Sequence, residues 1–233
     1  MRHCYFYDKK EAKRGLEFML EEFISFIVVG ACFLYLLFRF YRNSVLYLKI
    51  FVAAIGCLFL GELYKFVYMI SFERLPNMFN LEYLGMFGCF LFFTTANFGV
   101  MNHIIDDGDK QNRNKRLISL LPPCIIGVLF LLSVYYESNV DIKFMNFMLM
   151  IPVVIASYYS SKQILFSDMG LLFLKLIKPC NIMVLVMALL NGFYLLLRAM
   201  GNDMNNMIVN YGLLCSCVVL SFLLERSRRL WKI

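Results

Sequence analysis

The chain has 233 residues, 61% of them hydrophobic and 17% charged, with a formal net charge of +7 at pH 7. A mean hydropathy of +0.69 lies well outside the range of an ordinary soluble domain and excludes that class. The basic excess is spread over connections and the C-terminal end, so it reads as a topology signal and excludes nucleic-acid binding as its meaning.

Residues 1–21 form the first element. They are charged and have neither the apolar core nor the small-residue cleavage site of a leader peptide; from Asp8 to Glu22 they read as a short amphipathic helix leading into the membrane. Seven long apolar stretches follow, at 22–40, 45–70, 81–104, 117–136, 144–161, 178–199 and 207–224. Each is close to the roughly 20 residues with which a helix crosses hydrocarbon while satisfying its own backbone. The predicted fold is therefore all-α: a polytopic bundle of about seven transmembrane helices.

Turn residues separate the spans. Arg42-Asn43-Ser44 lies between the first two, Leu75-Pro76-Asn77 between the second and third, and Asp106-Asp107-Gly108-Asp109 opens the third connection. Pro122-Pro123 stands in the first turn of the fourth span, where a missing N–H is tolerated. Pro152 is expected to kink the fifth span, whose end is made polar by Ser157, Ser160 and Ser161. The connection from Ser161 to Lys178 is half apolar and is expected to lie along the interface. Residues 225–233 form a basic tail with the sole tryptophan, Trp231, as an interfacial anchor. No soluble domain is predicted, so a sensing role would need a partner protein to carry the message.

Alternate connections carry fourteen and nine of the Lys and Arg residues, and five of the nine lie in the N-terminal segment beside five acids. The positive-inside rule then places the N-terminus outside and the C-terminus in the cytoplasm. No Asn-x-Ser/Thr sequon occurs, which is compatible with the bacterial plasma membrane expected as its location. Seven of the eight cysteines fall in or at the edge of spans, where Cys behaves as a small hydrophobe; neither a disulfide framework nor a metal spacing is present. A three-one-three order of spans would suit the parallel repeats of small transporters, with Glu62 and Lys65 matched by Asn191 and Arg198, but the rest of the two halves does not align.

Charged groups within spans cost about 2.5–3.5 kcal/mol each on insertion scales, which makes them the strongest functional leads. Laid antiparallel, the spans gather Glu62, Lys65, Glu82, Asn191, Arg198 and Asn210 in the outer half. Glu62 and Lys65 are three residues apart and share a helix face. They either neutralise each other, with Asn191 as interhelical glue, or line an outward-opening pocket for a small polar or zwitterionic ligand. In the second reading Glu62, Lys65, Glu82, Asn191 and Arg198 bind the ligand, and Glu62 is the group that gains and loses a proton. Pro152, Gly61, Gly99 and Gly192 mark places where helices could bend or approach during gating.

A second group, Asn102, His103, Asp106, Asp107 and Asp109, stands at the cytoplasmic end of the third span, with Lys178 and Asn181 placed opposite. It reads first as a helix end running into a solvated loop; His103, Asp106 and Asp107 form a weak candidate site for a divalent cation. The stretch from Asn102 through Asn112, followed by Arg116, resembles the first aspartate-rich motif of the UbiA-type membrane prenyltransferases. That resemblance implies magnesium and a prenyl diphosphate held by Asn102, Asp106 and Asp109. The stretch departs from the motif in having His103 where the family has an acid, and the later loop offers only Asp168 in place of a second acidic motif.

The reading carried forward is a carrier or binding protein for a small polar solute in the bilayer, with no cofactor. The alternatives are a sensor or accessory subunit docking a protein partner through its cytoplasmic loops, and a magnesium-dependent membrane enzyme.

Overall fold

The computed structural model of the chain describes residues 2–41, 45–72, 81–105, 113–166 and 172–230, and among these the side chains of residues 19–41, 45–72, 81–98, 113–166, 177–202 and 205–230. Every regular element among them is helical: α1 (Arg2–Phe40), α2 (Leu46–Phe72), α3 (Leu81–Ile105), α4 (Arg113–Ser119), α5 (Leu121–Tyr136), α6 (Val140–Leu165), α7 (Leu172–Ala199) and α8 (Asp203–Leu230). Among the described residues six stretches are long and apolar enough to cross a membrane: Met19–Phe40, Leu46–Phe72, Arg113–Tyr136, Val140–Leu165, Ile177–Ala199 and Asn205–Leu230. The 25-residue α3 is of similar length and is apolar over most of its course, so the bundle has six or seven long apolar helices.

The distribution of side chains is that of a multi-pass membrane protein. Phe38, Tyr135, Phe222 and Ile208 on the outside are 82%, 76%, 66% and 63% exposed, whereas Glu22, Lys65, Glu82, Asn97, Gln163, Asn181 and Asn191 inside are all below 5%. In water that arrangement would be penalised on both counts; in a bilayer the apolar exterior meets lipid and the polar interior finds partners.

Contacts close a ring in the order α1, α2, α3, α6, α7, α8 and back to α1, with α5 packed outside on α6 and α7. Glycine notches explain the α1–α2 side of it. The Phe59 ring sits where a Cβ on Gly30 would stand 2.9 Å away, and the Phe33 ring fills the equivalent notch at Gly56, at 2.8 Å. Phe26 stacks between Phe66 at 5.0 Å and Phe59 at 5.7 Å, so the two helices mesh through aromatic rings.

Several helix ends depart from the sequence reading. The amphipathic segment and the first span are one continuous helix, α1. The fourth span is interrupted: α4 ends at Ser119, and Leu120 precedes α5, which has Pro122 and Pro123 in its first turn. Prolines without N–H groups cannot continue α4, but they are well placed to open α5. The α6 helix begins under the cap of Asn139, whose Oδ1 accepts from Asp141 N at 2.9 Å. It runs through Pro152 and ends at Leu165, four residues past the expected end. Ser157 and Ser161, expected to mark that end, are instead buried and donate to Val154 O and Ser157 O, both at 2.7 Å. A serine hydroxyl that bonds back to its own helix is compatible with a buried helical position. With α7 starting at Leu172, the connection from Ser161 is shorter than its composition suggested.

Candidate functional site

The ends of α2, α5 and α7 and the starts of α3, α6 and α8 share one end of the bundle, which we call the Glu82 end; the other is the Arg228 end. The site at the Glu82 end is set by two glycines. A Cβ on Gly85 would stand 2.6 Å from Cys57 O and 2.9 Å from Gly61 Cα, and one on Gly61 would stand 3.2 Å from Glu82 O. The α2 and α3 backbones are thus in direct contact, as small residues permit between membrane helices. Lys65 lies one turn from Gly61 on the same face and Glu82 nearly one turn from Gly85, so this approach brings the two side chains together. On α1, Glu22, Phe26, Val29 and Phe33 recur at three or four residues and face α2. Glu22, one turn before Phe26, arrives at Lys65 from the opposite side.

The result is an ion triad across three helices. Lys65 Nζ lies 2.8 Å from Glu22 Oε2 and 3.3 Å from Glu82 Oε1, with all three residues buried. Lys65 faces Glu22 Oε2 without the alignment of a full hydrogen bond. Lys65 therefore pairs across helices, and its ion contacts are not with Glu62, its neighbour on the same face. A single buried ammonium held by two carboxylates gains Coulombic energy against a desolvation cost of similar size. Its net contribution is small, while removal of any member is costly.

Beside the triad a cavity of about 40 Å³ opens between α1, α2, α3, α7 and α8, room for a few waters. Glu62, Lys65, Glu82, Asn191, Tyr194 and Asn210 supply its polar wall; Val29, Leu58, Phe90, Leu213 and Leu214 supply much of the apolar one. Two buried oxygens in that wall, Glu62 Oε2 and Asn191 Oδ1, have no hydrogen-bond partner. Asn191 Nδ2 donates only to Met86 Sδ, at 3.4 Å, a weak acceptor. Asn210 Nδ2 donates away from the cavity, to Glu21 Oε1 at 2.9 Å, tying α8 to α1.

Of the five residues expected to bind a ligand, Glu62, Lys65, Glu82 and Asn191 share this cavity. Arg198 is not in its wall; it stands near the end of α7 as an electrostatic neighbour of Glu82, Tyr83 and Tyr194. Glu22 and Tyr194 were not anticipated. Glu22 was legible in principle, since it continues the inward face of Phe26, Val29 and Phe33 by one more turn.

A second polar layer was missed except for Asn181. The Tyr47 hydroxyl donates to Asn97 Oδ1 at 3.1 Å, and Asn97 Nδ2 donates to Ser160 Oγ at 3.0 Å. Gln163 Nε2 donates to Asn97 O at 2.8 Å, and Asn181 Nδ2 donates to Gln163 Oε1 at 2.7 Å. These neutral groups join α2, α3, α6 and α7. Nearer the Arg228 end, buried Glu225 accepts from Arg228 Nη2 at 2.8 Å and Arg229 Nε at 3.1 Å and lies 3.7 Å from Arg39 Nε. These contacts fasten the last turns of α8 to α1.

The candidate cation site falls elsewhere. Asp106, Asp107 and Asp109 lie outside the described residues, as do the side chains of Asn102 and His103 within the last turns of α3. Among the described residues no group of three or more His, Cys, Asp or Glu side chains could hold a metal ion, and the seven described cysteines are free thiols. No family model, curated protein or solved structure matches the chain.

Proposed function

We propose that this multi-pass membrane protein binds a small polar solute in the cavity beside the Lys65 triad and carries it across the bilayer. The observation behind this reading is a coincidence of three features at one place. The cavity lies inside the helix ring, it is walled by ionised side chains, and two of its buried oxygens lack partners. Ionised groups that served only to join helices could be replaced by apolar packing at no loss of stability. Unpartnered buried acceptors, by contrast, are a standing cost of about 1–3 kcal/mol each that a bound donor removes. Glu62 is the ligand-binding carboxylate in this scheme, because Lys65 is already engaged by Glu22 and Glu82. Motion would be absorbed where the helices are locally weakened, at Pro152 in α6 and Pro179 in α7.

The test is uptake into liposomes by the purified protein, using a panel of small polar solutes. Glu62→Gln removes a charge that makes no ion pair within reach of Lys65, so the variant is expected to unfold at the wild-type temperature and to lose uptake. Normal uptake by Glu62→Gln would place the binding site elsewhere.

A further inference from the structure

Resting on the cavity as the binding site, the geometry points to its ligand class: a small monovalent cation carrying N–H donors, that is, a protonated primary amine of about the size of methylammonium. We infer this from what the cavity lacks as much as from what it holds. Both unpartnered oxygens, Glu62 Oε2 and Asn191 Oδ1, are acceptors, and Asn191 is only 3% exposed, so no bulk water reaches it from outside the bundle. An anion or a carbonyl oxygen would bring no donor to these two acceptors and would leave them unpartnered.

Charge points the same way. Lys65 is held by Glu22 and Glu82, while Glu62 in the same wall has no cation within ion-pair distance among the described residues. A monocation suits that single carboxyl group. A bare metal ion fits less well: calcium takes about six to eight oxygens, whereas two oxygens of the wall are without a partner. An ammonium group can donate to the two free oxygens and rest its methyl group on that apolar wall. Phe90 and Tyr194 in the wall add aromatic surface, which attracts ammonium ions. A cavity with room for a few waters limits the ligand to a few non-hydrogen atoms.

Thermal unfolding of the purified full-length chain in chloride salts at equal ionic strength tests this. Methylammonium is expected to raise the midpoint by a few degrees in a saturable manner, by mass action on the folded state. Sodium, which lacks donors, and tetramethylammonium, which has the charge but no N–H, are expected to leave it unchanged. Glu62→Gln and Asn191→Leu should each abolish the rise; the second keeps every charge in place and stands alone if the first fails to fold. Equal responses to the three cations, or a rise that persists in Asn191→Leu, would overturn the inference. A neutral or anionic solute that stabilises the wild type but not Asn191→Leu would also overturn it while leaving the cavity as the binding site. Silence towards every solute would remove both readings.

Discussion

Lys65 and Asn97 are the centres of two polar layers that lie toward opposite ends of the same ring of helices. Along α2, Lys65 and Tyr47 are 18 residues apart, or about 27 Å at 1.5 Å per residue. The Asn97 layer is neutral and is built as a relay: tyrosine to asparagine, asparagine to serine, asparagine to glutamine, with one oxygen, Asn181 Oδ1, left without a partner. The Lys65 layer is ionised, and it borders a cavity with acceptors to spare. Interhelical hydrogen bonds between neutral groups suffice to fix the order of membrane helices. Ionised groups bring a desolvation cost with no stability that neutral or apolar packing could not match. The contrast teaches where function is to be sought: in the layer that is chemically more costly than holding the bundle together requires.

The sharpest way to break this comparison is Lys65→Met. It leaves Glu22 and Glu82 facing each other in the interior, and a destabilisation of about 3–5 kcal/mol is expected. Unfolding in mixed micelles titrated with a denaturing detergent measures it. Replacing Glu22 and Glu82 by Leu and Met in the same chain should restore most of the loss while abolishing solute binding. If the triple variant stays as weak as Lys65→Met, the triad is a structural device and the two layers do not differ in kind.

The next largest effect is expected at Gly85. Its Cβ would meet Cys57 O at 2.6 Å, and a backbone oxygen cannot swing aside as a side chain can. Gly85→Ala should cost about 1–3 kcal/mol through forced separation of α2 and α3. Because the same approach sets Glu82 against Lys65, solute binding should fall with stability. Gly127→Ala on the peripheral α5, where the nearest atom is Val154 Cγ2 at 3.7 Å, is the control. It should gain up to about 1 kcal/mol from helix propensity alone and leave binding unchanged.

How much of this was legible follows from the type of signal each feature leaves. The apolar spans and the inward position of Glu62, Lys65, Glu82 and Asn191 were readable, because an ionised or amide group within 20 apolar residues stands out and antiparallel neighbours share a depth. The partner of Lys65 was not. Glu62 is the obvious choice at three residues along the same helix, whereas Glu22 sits where the first span begins and an acid there reads as interfacial. The choice between them depends on the Phe26–Phe66 stacking that rotates α1, and only the packed structure decides it. The neutral layer was harder still. Asn97, Ser160 and Gln163 each weaken an apolar run only slightly; Ser160 falls in the polar end of the fifth span and Gln163 in the connection expected after it. That α3 lies beside α6, two hairpins away in the chain, is a property of ring order that no periodicity carries.

Asn97→Leu sharpens the comparison at its weaker pole. The substitution removes the acceptor of Tyr47 and the donor to Ser160, while the backbone carbonyl of residue 97 still accepts from Gln163. With about 0.6–1.7 kcal/mol for each interhelical bond between neutral groups, the loss should be a fraction of that caused by Lys65→Met. Solute binding, about 22 Å away along α3 from Glu82 by the helix rise, should be retained. A layer whose task is to order helices loses stability in proportion to the bonds removed and leaves the affinity of a distant cavity alone. If Asn97→Leu abolished binding at unchanged stability, the neutral layer would belong to the transport path, and the division between a structural and a functional layer would have to be abandoned.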